Sequence, residues 1–210
     1  VGIELASPYI SIPILNTNTQ LDLQGVIITS SNPSILVRAS SKDKFSSEMT
    51  YKVPISAGQI LPVDFEIQVA STTNMTALDF TVTPILSESE DIILAPVPVS
   101  ININTIPWGK AYAYTFRDFD NSVQYAAAYP PANTCPKSGC SVILTLHGAS
   151  VDAKSGAWKY AYQQQNYTWI IYPTNRRRLG FDWQGPGMDN AFYALDSFIE
   201  ALPGVPLLNK

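Results

Sequence analysis

Hydrophobic and polar positions alternate with period two in three stretches of the first half of the chain. Val63, Phe65, Ile67 and Val69 alternate with Asp64, Glu66 and Gln68. Leu78, Phe80 and Val82 alternate with Asp79 and Thr81. Val97, Val99, Ile101 and Ile103 alternate with Pro98, Ser100 and Asn102. Successive side chains of a strand point to opposite faces, so this period predicts half-buried antiparallel strands. Residues 25–30, 34–39 and 49–55 are further strand candidates, and Ser30-Ser-Asn-Pro-Ser and Ser87-Glu-Ser-Glu-Asp supply turns. Six or seven short strands over about 100 residues predict an all-β, immunoglobulin-like sandwich over residues 1–107. The pattern stops at Ile106-Pro-Trp-Gly-Lys110, which reads as a linker.

A different pattern follows over residues 108–210. Residues 111–117 and 123–129 flank the turn Asp118-Phe-Asp-Asn-Ser122 and predict a hairpin. Val142-Ile-Leu-Thr-Leu146 is almost continuously apolar, as in a strand covered on both faces. Residues 153–165 predict a helix with Ala157, Tyr160 and Ala161 on one side, and Trp169-Ile-Ile-Tyr172 a second buried strand. Asp189 is placed to cap a helix running to Leu202, with Ala191, Phe192, Leu195, Phe198 and Ile199 as its apolar stripe. Pro203 and Gly204 end it. Strand, helix, strand, helix predicts an α/β domain in which strands 142–146 and 169–172 are parallel neighbours, with His147 and Pro173 at the same end.

Composition narrows the class. Apolar residues make up 46% and charged residues 14%, enough apolar material for packed cores and too little charge for a disordered chain. The formal net charge of -4 is the wrong sign for a general nucleic-acid or anionic-membrane binder. The charge is uneven: residues 1–108 carry 4 Lys and Arg against 10 Asp and Glu, and residues 109–210 carry 9 against 7, which supports two units. No stretch approaches the roughly 20 apolar residues of a membrane helix. The chain opens at Val1 with no signal-like segment and is expected to be a mature or excised piece. Cys135 and Cys140 stand in Thr-Cys-Pro-Lys-Ser-Gly-Cys, whose Pro and Gly make a turn able to bring two sulfurs together. A disulfide there implies an oxidising compartment. Asn74-Met-Thr and Asn166-Tyr-Thr are glycosylation sequons, which fit secretion. No metal site is expected, because no Cys-x-x-Cys occurs and no histidine lies near the cysteines.

The run Leu146-His147-Gly148-Ala149-Ser150 lies at the carboxyl end of a predicted buried strand, where open α/β sheets place their sites. On these residues the chain resembles the α/β-hydrolase superfamily, more narrowly its prolyl-oligopeptidase-like and esterase-like members. Such proteins carry His-Gly-x after the third strand, and the next backbone N–H forms half of the oxyanion hole. The resemblance implies that Ala149 supplies that N–H, that Gly148 permits a tight turn and that His147 braces it. Val123-Gln-Tyr-Ala-Ala-Ala-Tyr-Pro-Pro resembles the second strand of such domains, residues 169–173 the fourth, and residues 175–189 the loop after it. The resemblance covers roughly residues 111–210 and implies no cofactor.

The family's catalytic order of Gly-x-Ser-x-Gly, acid and histidine is not met. No Gly-x-Ser-x-Gly occurs, and the single histidine is assigned to the oxyanion loop. The sequence ends at Lys210, where a fifth strand and nucleophile elbow would follow, so the chain reads as the front part of a catalytic domain. His147 acting as a base on nearby Ser150 would need an orienting acid as well. Ser150, Trp183 and Arg176 are pocket candidates. Arg176-Arg-Arg178 has two readings: a grip on an anionic substrate, or a solvated run with counter-charges at Asp182 and Asp189. Phe181, Trp183 and Gly185-Pro-Gly187 are either an aromatic wall at a pocket mouth or loop packing. Asp118 and Asp120 read as turn chemistry.

The expected function is therefore a secreted serine hydrolase acting on ester or peptide bonds, with nucleophile and catalytic histidine outside these residues. The alternative is a secreted β-sandwich binding or adhesion protein with a non-catalytic α/β partner. A carbohydrate-binding sandwich would need exposed aromatics among Tyr9, Phe45, Tyr51, Phe65 and Phe80, and alternation buries Phe65 and Phe80.

Overall fold

The computed structural model describes residues 5–70, 75–86, 94–176, 180 and 182–201. Asn74, Arg177, Arg178, Phe181 and Leu202 lie outside them, so the first sequon, most of the arginine run and one aromatic candidate have no structural account. The chain divides into two compact units, Val1–Asn104 and Thr105–Lys210.

The first unit is built from β1 (Tyr9–Leu15), β2 (Gly25–Ser30), β3 (Ile35–Arg38), β4 (Glu48–Tyr51), β5 (Ile60–Val69), β6 (Ala77–Ile85) and β7 (Val97–Asn102). They form two antiparallel sheets, ordered β1-β5-β3 and β4-β2-β6-β7. Alternation sorts side chains as the pattern predicts. Val63, Phe65 and Ile67 of β5 and Leu78, Phe80 and Val82 of β6 are buried in one core. Phe65 and Phe80 meet edge to face at 5.4 Å, a favoured aromatic geometry. Pro13 and Pro98 fall on the edge strands β1 and β7, where a missing N–H costs no ladder bond.

The immunoglobulin strand order is not what forms. In that order the first, second, fifth and fourth strands share one sheet and the third, sixth and seventh the other. Here β3 takes the place beside β5, and β2 the place beside β6. Period two reports which face of a strand is buried and carries no information on its neighbour. One local pin is visible: a Cβ on Gly25, at the start of β2, would run into the Tyr51 carbonyl, so glycine lets β4 approach.

The second unit holds β8 (Tyr112–Arg117), β9 (Val123–Tyr129), β10 (Ser141–Leu144), α1 (Gly156–Lys159), β11 (Thr168–Pro173) and α2 (Pro186–Ala201). Its sheet runs β10-β11-β9-β8. β8 and β9 form the expected hairpin, and β10 pairs with β11 in parallel, Val142 opposite Trp169. β9 joins the two by pairing antiparallel to β11. Ala126, Ala127 and Ala128 are fully buried in β9, and small side chains there admit cover on both faces.

The α/β class expected for this unit is overturned. Strands dominate the described chain, with eleven strands against two helices. The helix expected over 153–165 shrinks to the four residues of α1, which bury none of their side chains. Ala157, Tyr160 and Ala161, its supposed inner stripe, are all exposed. A helix this short is not stable in water without a packed face, and Gly156 at its start adds entropy to be lost. β10 is likewise not covered on both faces. It is an edge strand with Ile143 44% exposed, whereas β11 is buried almost throughout.

α2 begins three residues before the expected cap Asp189, at Pro186, a residue suited to the first helical position. Its buried stripe is Gly187, Asn190, Ala191, Ala194 and Phe198, and Phe192 faces solvent. The stripe is rotated because small residues, not the largest apolar ones, let the helix lie close to the sheet. Tyr114 of β8 donates to the Ala194 carbonyl at 2.7 Å, and burial raises its phenol well above the usual range. Cys135 and Cys140 form the expected disulfide, with Cα atoms 5.2 Å apart. No described helix is long and apolar enough to cross a membrane.

Candidate oxyanion loop and its surroundings

Sheet register puts three connections at one end of the second unit. β10 and β11 are parallel, so the loops after Leu144 and Pro173 leave on the same side. Pro173, at the end of β11, pairs with Ala126 in the middle of β9, so the first half of β9 and the β8–β9 turn lie at that end too. Backbone strain gathers at this end. Asn121, Ser150, Asn175 and Arg176 have φ values of 64, 64, 58 and 63°, the non-glycine residues with positive φ among the described residues. All four belong to those three connections. Such conformations cost about 1–3 kcal/mol each outside Asn and Asp, and persist where surrounding contacts over-determine them.

His147 follows β10 and is 2% exposed. Its Nδ1 lies 2.9 Å from the Gly148 carbonyl and its Nε2 3.3 Å from the Thr174 carbonyl. A neutral imidazole carries one N–H and donates to one of them at a time. Neither ring nitrogen faces Ser150, so the structure does not assemble a His147–Ser150 base and nucleophile. The ring is instead a brace between the two loops. Trp183 completes it: its indole Nε1 donates to the His147 carbonyl at 2.7 Å, and its ring meets the imidazole at 5.1 Å.

Gly148, Ala149 and Ser150 are exposed. The Ala149 N–H donates to no acceptor among the described residues. The left-handed residue in this loop is Ser150, whereas a Cβ on Gly148 would meet nothing within 4 Å, so the turn does not rest on Gly148 as expected. Ser150 also lines an open depression of about 350 Å³ with Val151, Asp152, Ser155, Ala157 and Trp158. Trp158 stands 6.4 Å from the His147 ring.

Arg176 is neither a free anion grip nor paired with Asp182 or Asp189. Its guanidinium bonds Asp120, lies 3.8 Å from the fully buried Asp118 carboxylate, and covers the Phe119 ring at 4.5 Å. The nearest acids in sequence were the wrong partners, because the hairpin turn is brought to the loop by the sheet. Burial pushes the Asp120 carboxyl up, but hydrogen bonds from Ser122 and Arg176 outweigh it and hold it at about 2.

The link between three residues here was not legible along the chain. Asp118 accepts from Asn190 Nδ2 at 2.9 Å, and Asn190 Oδ1 accepts from the Asn175 N–H at 3.0 Å. Asn175 Nδ2 in turn donates to the Asp182 carbonyl. The signal for Asn190 was available: it is a polar residue inside the small-residue stripe of a helix, and buried polar groups need partners. Asn166 is exposed, and its carbonyl accepts from the Asn133 N–H at 3.0 Å. No family model matches the chain, and neither does any curated protein or any solved structure.

Proposed function

We propose that the loop after β10 is half of an oxyanion hole in a serine hydrolase of ester or peptide bonds. The nucleophilic serine and its base would lie outside these 210 residues, since the chain holds one histidine and no Gly-x-Ser-x-Gly. The observation carrying the reading is the exposed, unengaged Ala149 N–H, next to a histidine whose ring and carbonyl are both held. A backbone donor fixed before the reaction loses nothing to reorganisation when charge develops on a carbonyl oxygen. His147 serves as a brace in this reading and not as a base. A secreted location goes with it, supported by the Cys135–Cys140 disulfide and the exposed Asn166 sequon.

The dominance of strands supports a second reading, a secreted β-sandwich binding or adhesion protein whose second unit does no chemistry. Activated-ester assays separate the two. Residues 1–210 alone should give no enzymatic turnover, and the protein carried further along its gene should turn over. In that longer protein Ala149→Pro, which removes the N–H, should lower kcat by roughly 10²–10³. A longer protein without turnover sinks the hydrolase reading. Turnover by residues 1–210 that depends on His147 or Ser150 sinks the brace role.

A further inference from the structure

We infer that Asn190 is a positioning residue for the His147 loop, acting through Asn175 and Trp183; its relevance to catalysis rests on the hydrolase reading above. The contacts close a ring. Asn175 Nδ2 donates to the Asp182 carbonyl, and Trp183 is the next residue. Trp183 Nε1 donates to the His147 carbonyl at 2.7 Å. His147 Nε2 faces the Thr174 carbonyl at 3.3 Å, and Thr174 precedes Asn175. The ring holds its shape only while Asn175 keeps a left-handed backbone, φ 58°. Asn190 supplies that constraint by accepting from the Asn175 N–H at 3.0 Å.

Asn190 is itself oriented from outside the ring. Its Nδ2 donates at 2.9 Å to Asp118, whose side chain is fully buried. An amide oxygen and nitrogen point opposite ways, so engaging the nitrogen on Asp118 fixes the oxygen on Asn175. Arg176, also left-handed, is tied to the same turn through Asp118 and Asp120. Glycines close the arrangement: a Cβ on Gly187 would collide with the Asn175 amide and the Asp182 carbonyl. Two left-handed residues held from both sides mark a loop built to place something, and what it places is Trp183 against His147.

Tryptophan and histidine resonances of the ¹⁵N-labelled chain test this without any catalysis. The chain has four tryptophans and one histidine, and Trp183→Phe assigns the Trp183 indole. Asn190→Ala should speed exchange of the Trp183 indole proton on the order of tenfold, the factor matching one lost hydrogen bond, and shift the His147 ring nitrogens. The buried Trp169 indole should not respond. Asn190→Asp keeps the size and the acceptor for Asn175 but sets a second buried carboxylate against Asp118, and should give at least as strong a response. If Asn190→Ala does not fold, Asn190→Ser and Arg176→Met, which loosens the turn that holds Asp118, carry the test. Unmoved Trp183 and His147 signals in folded variants overturn the inference, as does an equal response at Trp169. An inactive longer protein with the resonances still responding removes the hydrolase reading and leaves the clamp standing.

Discussion

The two units treat polar groups in opposite ways. Among the described residues the sandwich buries one polar side chain, Asn16, which bonds the Leu21 and Ile55 carbonyls and accepts from the Asn18 N–H. The second unit buries Asp118, Thr145, His147, Thr174, Asn175 and Asn190, all at or beside one end of its sheet. A buried polar group is tolerated only when bonded, and each unmet one costs about 1–3 kcal/mol. A fold that needed only stability would fill those places with apolar side chains. The sandwich does so, and its core is held by alternation alone. The second unit gives up that economy where its loops converge, which is where a site that orients charge would be found.

Apolar truncation in the sandwich should be the costliest change. Phe65 is fully buried against Phe80, so Phe65→Ala should remove about 3–5 kcal/mol of stability in urea denaturation. A loss below about 1 kcal/mol would mean the sandwich core is not packed as described.

The disulfide ranks second. Cys135 and Cys140 close a loop with a sequence separation of 5, and both pack against the second unit's core. Replacing both by serine should cost about 2 kcal/mol, from loop-closure entropy in the unfolded chain. Non-reducing mass spectrometry tests the bond itself, and two free thiols would refute it.

One substitution made in two neighbouring strands sharpens the comparison within the second unit. Ile171 of β11 is fully buried, whereas Ile143 of β10 is 44% exposed. Ile171→Val should cost about 1 kcal/mol, and Ile143→Val less than about 0.5. Equal costs would show β10 covered on both faces after all.

The smallest effect is in pH. Asp120 is held down at about 2 from its ordinary 3.8, so the stability it lends is fully present above about pH 4. That stability is lost as pH falls through about 2, when protonation removes the charge facing Arg176. With its carboxylate 40% exposed, solvent screens the pair and the effect should be small. NMR titration of Asp120 should give a midpoint near 2, and Arg176→Met should raise it. An unshifted midpoint would mean Arg176 does not hold the turn.

Much of this was legible along the chain. Val63, Phe65 and Ile67 declared a buried face because a strand's side chains alternate whatever its neighbours are. The Pro and Gly between Cys135 and Cys140 declared a turn because both residues restrict or free φ locally. The hairpin followed from its turn residues, and the parallel pairing of β10 with β11 from two apolar strands joined by a long crossover, although the helix expected in that crossover did not form. The helix over 153–165 was misread because propensity and spacing do not say whether a face will find a partner. The stripe of α2 differs from the apolar one because close approach to the sheet favours small residues such as Gly187 and Ala194 over large ones such as Phe192.

Along the chain, Asp118 was turn chemistry, Asn190 an unremarked helix residue and Arg176 part of a charge run. These three come from the β8–β9 turn, α2 and the loop after β11, and only sheet order brings them together. The sequence by itself determined what local physics can carry: strand faces, turn positions, the disulfide and the His-Gly-Ala run. Which strands are neighbours, which of two similar apolar strands is buried, and which acid meets Arg176 were decided by tertiary packing. Those outcomes depend on contacts between residues far apart in sequence, and a pattern of period two or 3.6 records no such contact.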